Sequence, residues 1–574
     1  MKKIVQRQAS ESSQCELPET LHPVLRRVYS ARNVKTGIEL DNSLARLHSP
    51  ADLKGISAAV DLLAGALQRQ ERILVVGDFD ADGATSSALM VSALKAMGAH
   101  NVDYLVPNRF KFGYGLTPEI VSVAADHRPD LIITVDNGIS SLDGVKAARE
   151  RGIRVLVTDH HLPGSELPAA DAIVNPNQPH DTFPSKNLAG VGVAFYLLMA
   201  LRGRLREDGW FANGGRAEPN LADYLDLVAL GTVADLVPLD HNNRVLVRQG
   251  LQRIRAGRCR PGIKALLDIA GRKIARVVAS DFGFAVGPRL NAAGRLDDMS
   301  LGIECLLAED AGKAHQLASE LDALNRERRE IEADMKAQAM DFVQQVHVQK
   351  EQLPLGFCLF EADWHQGVIG ILASRIKERF HRPVIAFARS GPDQLKGSAR
   401  SIPGLHIRDT LDAIAARHPD ILHKFGGHAM AAGMSLAEHD LPAFEAAFLE
   451  ELEKRLDAQI LSSVLESDGT LGVEDFSLEL AEQLRSAGPW GQGFPEPLFD
   501  GNFTVLQQRV VGEHHLKLQV RPEGGDQTLD AIAFNQAADH QLGKGQQVRL
   551  AYRLDSNEYR GLLGLQLVIE MIEG

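Results

Sequence analysis

The sequence predicts an α/β protein with two α/β lobes joined by a long helix and followed by a small antiparallel C-terminal β-barrel. From residue 73 onward, short apolar runs alternate with helical patterns, and the alternation returns near residue 356. Between these regions, residues 306–349 are nearly free of Gly and Pro, which indicates one helix that either joins the lobes or packs on a surface. Residues 498–572 alternate apolar and polar positions between Gly and Asp turns, which is typical of barrel strands.

The first lobe is predicted to hold a parallel sheet. Strands are expected at 73–77, 102–106, 131–135 and 154–158, with helices at 84–97, 117–125 and 140–151 between them. Further helices begin near residues 188 and 221. Strands that alternate with helices indicate βαβ units with right-handed crossovers. Residues 1–70 are polar at first and then helical in pattern, and they suggest no chemistry.

Polar side chains follow three of these strands. The first strand runs into Gly-Asp-Phe-Asp-Ala-Asp-Gly at 77–83, the third into Asp136, and the fourth into Asp159, His160 and His161. Ligands of open parallel sheets lie beyond the carboxyl ends of the strands, so one crevice is expected to collect these groups. Crowded carboxylates need a compensating cation, and oxygen ligands suit magnesium or manganese.

A further acid, Asp235, follows the helix that begins near residue 221. With Asp80, Asp82, Asp136 and His160 it makes a set that can hold two divalent ions about 4 Å apart. This predicts metal-assisted hydrolysis of a phosphate ester. Any one of these acids alone is better explained as a helix cap or turn residue. Five ligand groups spread over three strand ends and a helix end favour the metal site.

Composition sets the remaining limits. A net charge of −13 over 574 residues excludes a protein that is basic throughout, but it does not exclude a basic groove for nucleic acid. The four cysteines lie far apart, without zinc or disulfide spacing, which fits a reducing compartment. The amino terminus has no apolar signal core and no apolar run can span a bilayer. We therefore expect a cytoplasmic protein that meets no membrane.

The later parts of the chain suggest ligand contacts. In the second lobe, Gly-rich segments at 364–370, 397–401 and 426–433 are interpreted as turns at helix starts, which bind anions well. The barrel at 498–572 carries Arg, Lys, His and aromatic residues that could follow a nucleic-acid strand, as in oligonucleotide-binding (OB) barrels. A purely structural barrel fits the same pattern.

Together, these motifs resemble the DHH phosphoesterase superfamily. Its four motifs are matched by residues 77–83, by Asp-Asn-Gly at 136–138, by Asp-His-His at 159–161 and by Asp235. The second lobe, with Gly-Ser-Ala-Arg-Ser at 397–401 and Gly-Gly-His at 426–428, is similar to the DHH-associated domain. Segments 287–296, 364–370 and 488–497 narrow the resemblance to the bacterial single-strand-specific exonucleases of this superfamily.

The resemblance implies an exonuclease that degrades single-stranded DNA from 5′ to 3′ and releases 5′-mononucleotides in DNA repair and recombination. It implies two Mn²⁺ or Mg²⁺ ions, a monomer, and a single-strand-binding protein and a helicase as partners. The implied domains are an N-terminal helical extension that packs on the catalytic lobe (1–70), a DHH catalytic domain (71–305), a long connecting helix (306–350), a DHH-associated substrate-binding domain (351–460) and an OB-type nucleic-acid-binding domain (461–574).

The resemblance also implies roles for single residues. The metal ligands would be Asp80, Asp82, Asp136, His160 and Asp235, with Asp136 bridging the ions. His161 would contact the scissile phosphate or act as general acid. The catalytic residues would then be Asp136, Asp159, His160 and His161. The terminal 5′-phosphate would be held by Arg109, Ser398 and Arg400, and the path of the strand would be lined by Arg289, Asn291 and His428.

The sequence departs from the small DHH pyrophosphatases at about Val76, where they have a histidine ligand. Asp78 either compensates as a ligand or lies behind the ligands. Rival functions are a phosphodiesterase for short oligonucleotides or cyclic dinucleotides, a pyrophosphatase, and a scaffold with a decayed site, although all five ligand residues are present. A dinucleotide-binding fold would need Gly-x-Gly-x-x-Gly after the first strand, where acids stand instead.

Overall fold

The computed structural model describes residues 3–8, 16–108, 112, 115–350, 353–422, 424–457, 460–559 and 561–573. The chain forms two compact units. The smaller consists of Met1–Val5 and Ala323–Leu465, and the larger of Gln6–Asp322 and Glu466–Gly574. The larger unit therefore contains both the first α/β lobe and the C-terminal barrel.

A five-stranded parallel sheet lies at the centre of the first lobe. Four strands confirm the prediction and a short edge strand is additional; in order across the sheet they are Val102–Leu105, Ile73–Gly77, Leu131–Val135, Arg154–Thr158 and Ala172–Val174. The central strands are buried along their length, as is typical of parallel sheets covered on both faces. Because Gly77 pairs with Val135 and Val135 with Thr158, three carboxyl ends lie level at one edge.

Helices connect and flank these strands. The first begins at Ala81, not at residue 84 as predicted, because the carboxylate of Asp80 accepts the N–H groups of Asp82 and Gly83 and caps the helix. The helices of the lobe are Ala81–Ala96, Pro118–Asp126, Leu142–Glu150, Gly190–Glu207, Trp210–Asn213, Leu225–Ala234, His241–Arg255, Pro261–Ile269, Ala279–Asp281, Gly287–Leu296 and Ser300–Leu307, with a π-helical turn at Phe282–Val286.

The residues before the sheet form the strand Lys3–Gln6, the helices Pro23–Ser30 and Ile56–Gln68, and short 3₁₀ turns between the helices. Helix Ile56–Gln68 packs on helix Gly190–Glu207 of the first lobe. Tyr29 donates its hydroxyl hydrogen to the carbonyl of Ala487, 2.9 Å away. The N-terminal segment thus contacts the lobe and the region that precedes the barrel.

The long helix is present, and it runs over Ala311–Lys350. It begins later than residue 306 because Ala308 is extended and the carboxylate of Asp310 accepts the N–H of Lys313, which sets the first turn. The boundary between the two compact units falls within this helix, after Asp322. The prediction that a long helix joins two lobes is confirmed.

The smaller unit holds a mixed sheet with strands in the order Lys424–Gly427, Ala431–Ala437, Gln394–Arg400, Val384–Gly391 and Phe357–Phe360, and helices Ile369–Phe380, Ile407–Arg417 and Leu441–Arg455. The turn at 364–370 leads into a helix, as predicted. The Gly-rich segments at 397–401 and 426–433 were expected to be helix-start turns, and that is wrong: they lie in or next to strands. Gly397 is needed there because a Cβ would lie 2.5 Å from the Phe387 ring.

The C-terminal barrel is closed, and its strands follow the order Phe499–Val511, His515–Pro522, Leu529–Ala533, Leu562–Glu573 and Gln547–Tyr559. Helix Leu478–Ala487 and strand Val464–Ser467 precede it. One neighbouring pair, Leu529–Ala533 with Leu562–Glu573, is parallel, which corrects the expected antiparallel barrel. Five strands cannot alternate in direction around a closed ring, so one parallel pair is required. Among the described residues, no helix combines the length and apolar character that crossing a bilayer needs.

Candidate metal centre

The acidic segment after the first strand, residues 78–83, supplies three carboxylates. Asp78 and Asp82 are buried, and Asp80 caps the helix that begins at Ala81. The two oxygens of Asp82 accept the N–H groups of Gly190 (2.6 Å) and Val191 (2.9 Å). These N–H groups belong to the first turn of helix Gly190–Glu207, whose positive dipole end stabilises a carboxylate.

Asp136 lies directly after the central strand Leu131–Val135, in a left-handed conformation with φ of 63°. A non-glycine residue rarely adopts this conformation, and such residues concentrate at functional sites. Its N–H donates to the carbonyl of Thr158, 3.1 Å away. Gly190 approaches so closely that a Cβ there would lie 2.7 Å from Asp136 Oδ1. The position of Asp136 therefore depends on the absence of a side chain at residue 190.

Asp159 fixes the two histidines that follow it. Its carboxylate accepts the N–H groups of Ile139 (2.9 Å), His160 (2.7 Å) and His161 (3.1 Å), and it lies 2.7 Å from Nδ1 of His161. Burial lowers the pKa of His161, but the hydrogen bond and charge of Asp159 outweigh it and raise this pKa to about 9. The pair with Asp159 therefore favours the protonated form of the His161 ring, and Asp159 also holds the backbone of both histidines through their N–H groups.

His160 joins the strand-end groups to Asp235. His160 Nε2 lies 3.1 Å from Asp136 Oδ1 and 3.5 Å from Asp235 Oδ2. Asp235 is the C-cap of helix Leu225–Ala234. Three triplets of residues each place their possible ligand atoms within 4.8 Å of one another. These triplets are Asp78, Asp80 and Asp136; Asp82, His160 and Asp235; and Asp136, His160 and His161. Every residue proposed as a metal ligand from the sequence belongs to at least one of them.

The electrostatics of this cluster favour a bound cation. Burial, and then the charges of neighbouring groups, raise the pKa of Asp82 to about 7. The pKa of Asp235 is also raised to about 7, and that of Asp136 is raised well above its usual range, with burial again the largest cause. Within the described part of the chain, the buried atoms His160 Nε2 and Asp235 Oδ2 have no hydrogen-bond partner. Carboxylate oxygens with one imidazole nitrogen suit Mn²⁺ or Mg²⁺.

Two residues expected along the path of the strand lie in the larger unit, on helix Gly287–Leu296. Asn291 accepts the N–H of Ala81 at 2.8 Å and so supports the acidic segment directly. Arg289 is 8% exposed; its guanidinium binds the Asp322 carboxylate (2.9 Å) and the Ala285 carbonyl (2.7 Å). The fold therefore pairs the Arg289 guanidinium with Asp322.

The other expected substrate residues are distributed differently. Arg109 lies outside the described residues. In the smaller unit, Arg400 Nη1 donates to Ser398 Oγ (3.1 Å) and to the carbonyl of Ala399 (2.8 Å). A Cβ at Gly370 would lie 2.9 Å from both Arg400 Nη2 and Ser398 Oγ. A guanidinium and a hydroxyl thus face the first turn of helix Ile369–Phe380. His428 is exposed, just after strand Lys424–Gly427.

Several supporting residues were not identified from the sequence. Asn137 donates to the carbonyls of Val76 (3.1 Å) and Val135 (2.9 Å) and ties two strand ends together. Asn177 donates to the carbonyl of His160 at 2.6 Å, and Asn175 to that of His161 at 2.9 Å. The Asp-Asn-Gly motif contained a signal for Asn137, whereas the other two amides lie in a loop without any distinguishing pattern.

Known proteins are similar to this chain over nearly its whole length. Residues 72–232 match the sequence model of the DHH family N-terminal domain, 345–456 that of the DHHA1 domain and 467–571 that of the RecJ OB domain. The chain is 58% identical, over 99% of each sequence, to the single-stranded-DNA-specific exonuclease RecJ of Dickeya dadantii (strain 3937). This chain belongs to the RecJ family. The RecJ of Escherichia coli (strain K12) is 56% identical over 97% of each sequence.

RecJ of Thermus thermophilus provides the structural comparison. Its crystal structure in complex with Mn²⁺ has a TM-score of 0.79 and 32% identity, and the match covers 96% of this chain and 76% of that one. Its complex with Mg²⁺ has a TM-score of 0.73 and 30% identity, over 96% and 75% of the two chains. The predicted fold class and the resemblance to the DHH superfamily are both confirmed.

Proposed function

We propose that this chain is a single-strand-specific DNA exonuclease that uses two Mn²⁺ or Mg²⁺ ions to release 5′-mononucleotides from the 5′ end, in DNA repair and recombination. The observation that carries the proposal is the convergence of His160 Nε2 with carboxylate oxygens of Asp136 and Asp235, within 3.5 Å. The names of the RecJ relatives support the substrate, and the metal complexes of the Thermus protein support the cofactor.

The three triplets support the proposed ligand assignments. Asp136 belongs to two of them, which suits a carboxylate that bridges the ions. Asp78 and Asp80 share one triplet with Asp136 and would hold one ion with it. His160 shares a triplet with Asp136 and another with Asp82 and Asp235, and these groups would hold the second ion. Asp82 accepts two N–H groups, but each carboxylate oxygen has a second lone pair for an ion. When bound, the ions supply the charge that stabilises the attacking and leaving oxygens of a phosphodiester.

The Asp159–His161 pair provides the proton-bearing group. Because Nδ1 of His161 is held by Asp159, Nε2 is the ring nitrogen that would donate to a phosphate oxygen or to the leaving oxygen. Asp159 contacts no ion in this proposal. Its role is to keep His161 protonated and to orient both histidines. The pair would thus act as a phosphate ligand or general acid beside the metal ions.

Selection of the 5′ end is assigned to the smaller unit. Ser398 and Arg400, which approach Gly370 in the first turn of helix Ile369–Phe380, would form with that turn a donor set for a terminal phosphate. Arg109 is proposed as a further phosphate ligand, and Asn291, Arg289 and His428 as neighbours of the strand. For Arg289, a contact with DNA requires that it exchange Asp322 for a phosphate.

The closed barrel is proposed as a second contact for single-stranded DNA, supported by its OB family match. We further propose that the protein acts as a monomer in the cytoplasm, together with a single-strand-binding protein and a helicase. The support for these partners is the substrate itself, since unwinding of duplex DNA produces single strands and exposed single strands are bound by such proteins.

The test is digestion of long single strands labelled at either end, with Mn²⁺, Mg²⁺ or chelator. We expect labelled mononucleotide at once from the 5′-labelled strand and late from the 3′-labelled strand, none with chelator, and little from blunt duplex. Matched reactions with dinucleotides and cyclic dinucleotides test the rival phosphodiesterase activity. Preferential cleavage of these short substrates would overturn the proposal.

A further inference from the structure

Residues 488–497, here called the 488–497 segment, have the sequence Gly-Pro-Trp-Gly-Gln-Gly-Phe-Pro-Glu-Pro. They connect helix Leu478–Ala487 to the first barrel strand, Phe499–Val511. The sequence singles this segment out by its density of Gly, Pro and aromatic residues, yet nothing in the proposed chemistry uses it. In the structure it packs on the loop that follows Asp235.

The contacts with that loop are direct. The N–H of Leu239 donates to the carbonyl of Gln492 at 2.7 Å. A Cβ at Gly493 would lie 3.2 Å from Pro238 Cβ, and one at Gly491 would lie 2.8 Å from Leu239 Cδ1. A side chain at either glycine would therefore press on the loop. The backbone of the segment, not a long side chain, therefore sets the distance between the segment and the loop.

The loop is also held on its other side. It runs from Asp235, the C-cap of one helix, to Asp240, the N-cap of the next. Asn243 donates to the carbonyl of Pro238 at 3.0 Å, and Arg244 to that of Leu239 at 3.0 Å. Pro238 and Leu239 are thus held between helix His241–Arg255 and the 488–497 segment, only a few residues from Asp235.

The segment itself is held firmly. Trp490 and Phe494 stack with ring centroids 5.1 Å apart, and Tyr29 packs on both rings. The Arg244 guanidinium lies 4.3 Å from the Phe494 ring centroid, a cation–π distance, while Arg32 donates to the carbonyl of Pro495 at 2.8 Å. A segment packed in this way can act as a fixed support for a neighbouring loop.

We propose that the 488–497 segment is a positioning element for the Asp235 carboxylate in the metal centre. The segment fixes the positions of Pro238 and Leu239. Through these residues it also fixes the end of helix Leu225–Ala234, where Asp235 lies. This inference rests on the proposed function, since it takes Asp235 to be a metal ligand. Residues that orient metal ligands from behind typically change metal affinity by about 10-fold or more when altered.

The test compares two glycine substitutions at similar backbone conformations. Gly493 has φ of +69° and meets Pro238, whereas Gly524 has φ of +77° with nothing within 4 Å. Gly493→Ala and Gly524→Ala thus share the strain of a left-handed alanine, and only the first presses on the loop. Mn²⁺ binding is measured by calorimetry and electron paramagnetic resonance on the full chain, well below the melting temperature of each variant.

We expect Gly493→Ala to weaken one of two Mn²⁺ binding steps by about 10-fold while the other step stays unchanged, because Asp235 belongs to only one side of the centre. Gly524→Ala should bind as wild type. Gly491→Ala, which has no left-handed strain, should weaken the same step less, since the flexible Leu239 side chain can move. General destabilisation would not select one step.

Asp235→Asn separates the two possible failures. If Asp235→Asn loses one binding step but Gly493→Ala and Gly491→Ala bind as Gly524→Ala does, the positioning inference is overturned and the proposed function stands. If Asp235→Asn keeps both steps, the ligand role of Asp235 is overturned, and the inference with it.

Discussion

Gly190→Ala offers the sharpest test of how the metal centre is built. A Cβ at residue 190 would lie 2.5 Å from Asp136 Cβ and 2.8 Å from Asp136 Cα, whereas ordinary contact begins at 3.4 Å. Relief requires that helix Gly190–Glu207 and Asp136 separate by about 1 Å, a misplacement that costs on the order of 100-fold in rate, or ~2.7 kcal/mol of transition-state stabilisation. The shift also strains the N–H groups that hold Asp82.

The matched control is Gly203→Ala in the same helix, where nothing lies within 4 Å. Replacement of a helical glycine by alanine there should stabilise the fold by ~0.5–1 kcal/mol and leave activity unchanged. The assay is the initial rate of mononucleotide release from a 5′-labelled single strand in saturating Mn²⁺, with melting curves for both variants. If Gly190→Ala kept wild-type rate and Mn²⁺ affinity, the close approach of helix and Asp136 would not matter and the reasoning would fail.

Three further predictions follow from the site. Because the pKa values of Asp82 and Asp235 are raised to about 7, the metal-free fold loses stability as pH rises from about 4 to 7. The melting temperature in EDTA should therefore be higher at pH 5 than at pH 8, and Mn²⁺ should reduce this difference. An equal difference in the Asp235→Asn variant would contradict the raised pKa of Asp235. Arg400→Ala should remove the preference for phosphorylated over hydroxyl 5′ ends while calorimetry shows unchanged Mn²⁺ binding; a retained preference would refute the phosphate role. Phe284 is 79% exposed on a π-helical turn, between glycines that face Val233 and Ala234 beside Asp235. If the Phe284 ring stacks on a base, Phe284→Ala should weaken the binding of single-stranded DNA about 10-fold in fluorescence anisotropy titrations, and unchanged binding would exclude the stacking role.

The sequence contained most of the metal centre because parallel strands end at one edge. Once Ile73–Gly77, Leu131–Val135 and Arg154–Thr158 are recognised as buried strands, their following residues must meet, whatever the loops do. Asp235 follows a helix and not a strand, and its position beside His160 depends on helix packing that no local sequence pattern specifies. The resemblance supplied what periodicity alone did not.

Details that the sequence does not specify arise from contacts between distant residues. Arg289 was expected to line the path of the strand, and its contact with Asp322 follows only from the fold. Gly397 was interpreted as part of a turn because glycine permits turns, whereas here it makes room for the Phe387 ring within a strand. The start of the first helix at Ala81 shows that Asp80 is a cap as well as a proposed ligand, two roles that sequence reasoning treated as alternatives.

Helix Gly287–Leu296 touches two distant parts of the larger unit. Asn291 holds the backbone at Ala81, and Arg289 binds Asp322 near the start of the long helix. A rotation of this short helix would displace both Ala81 and Asp322 through these two contacts. Substitutions between Ala311 and Asp322 can therefore alter hydrolysis without approaching an ion, and screens for inactive variants should find some of them far from any acidic side chain of the centre.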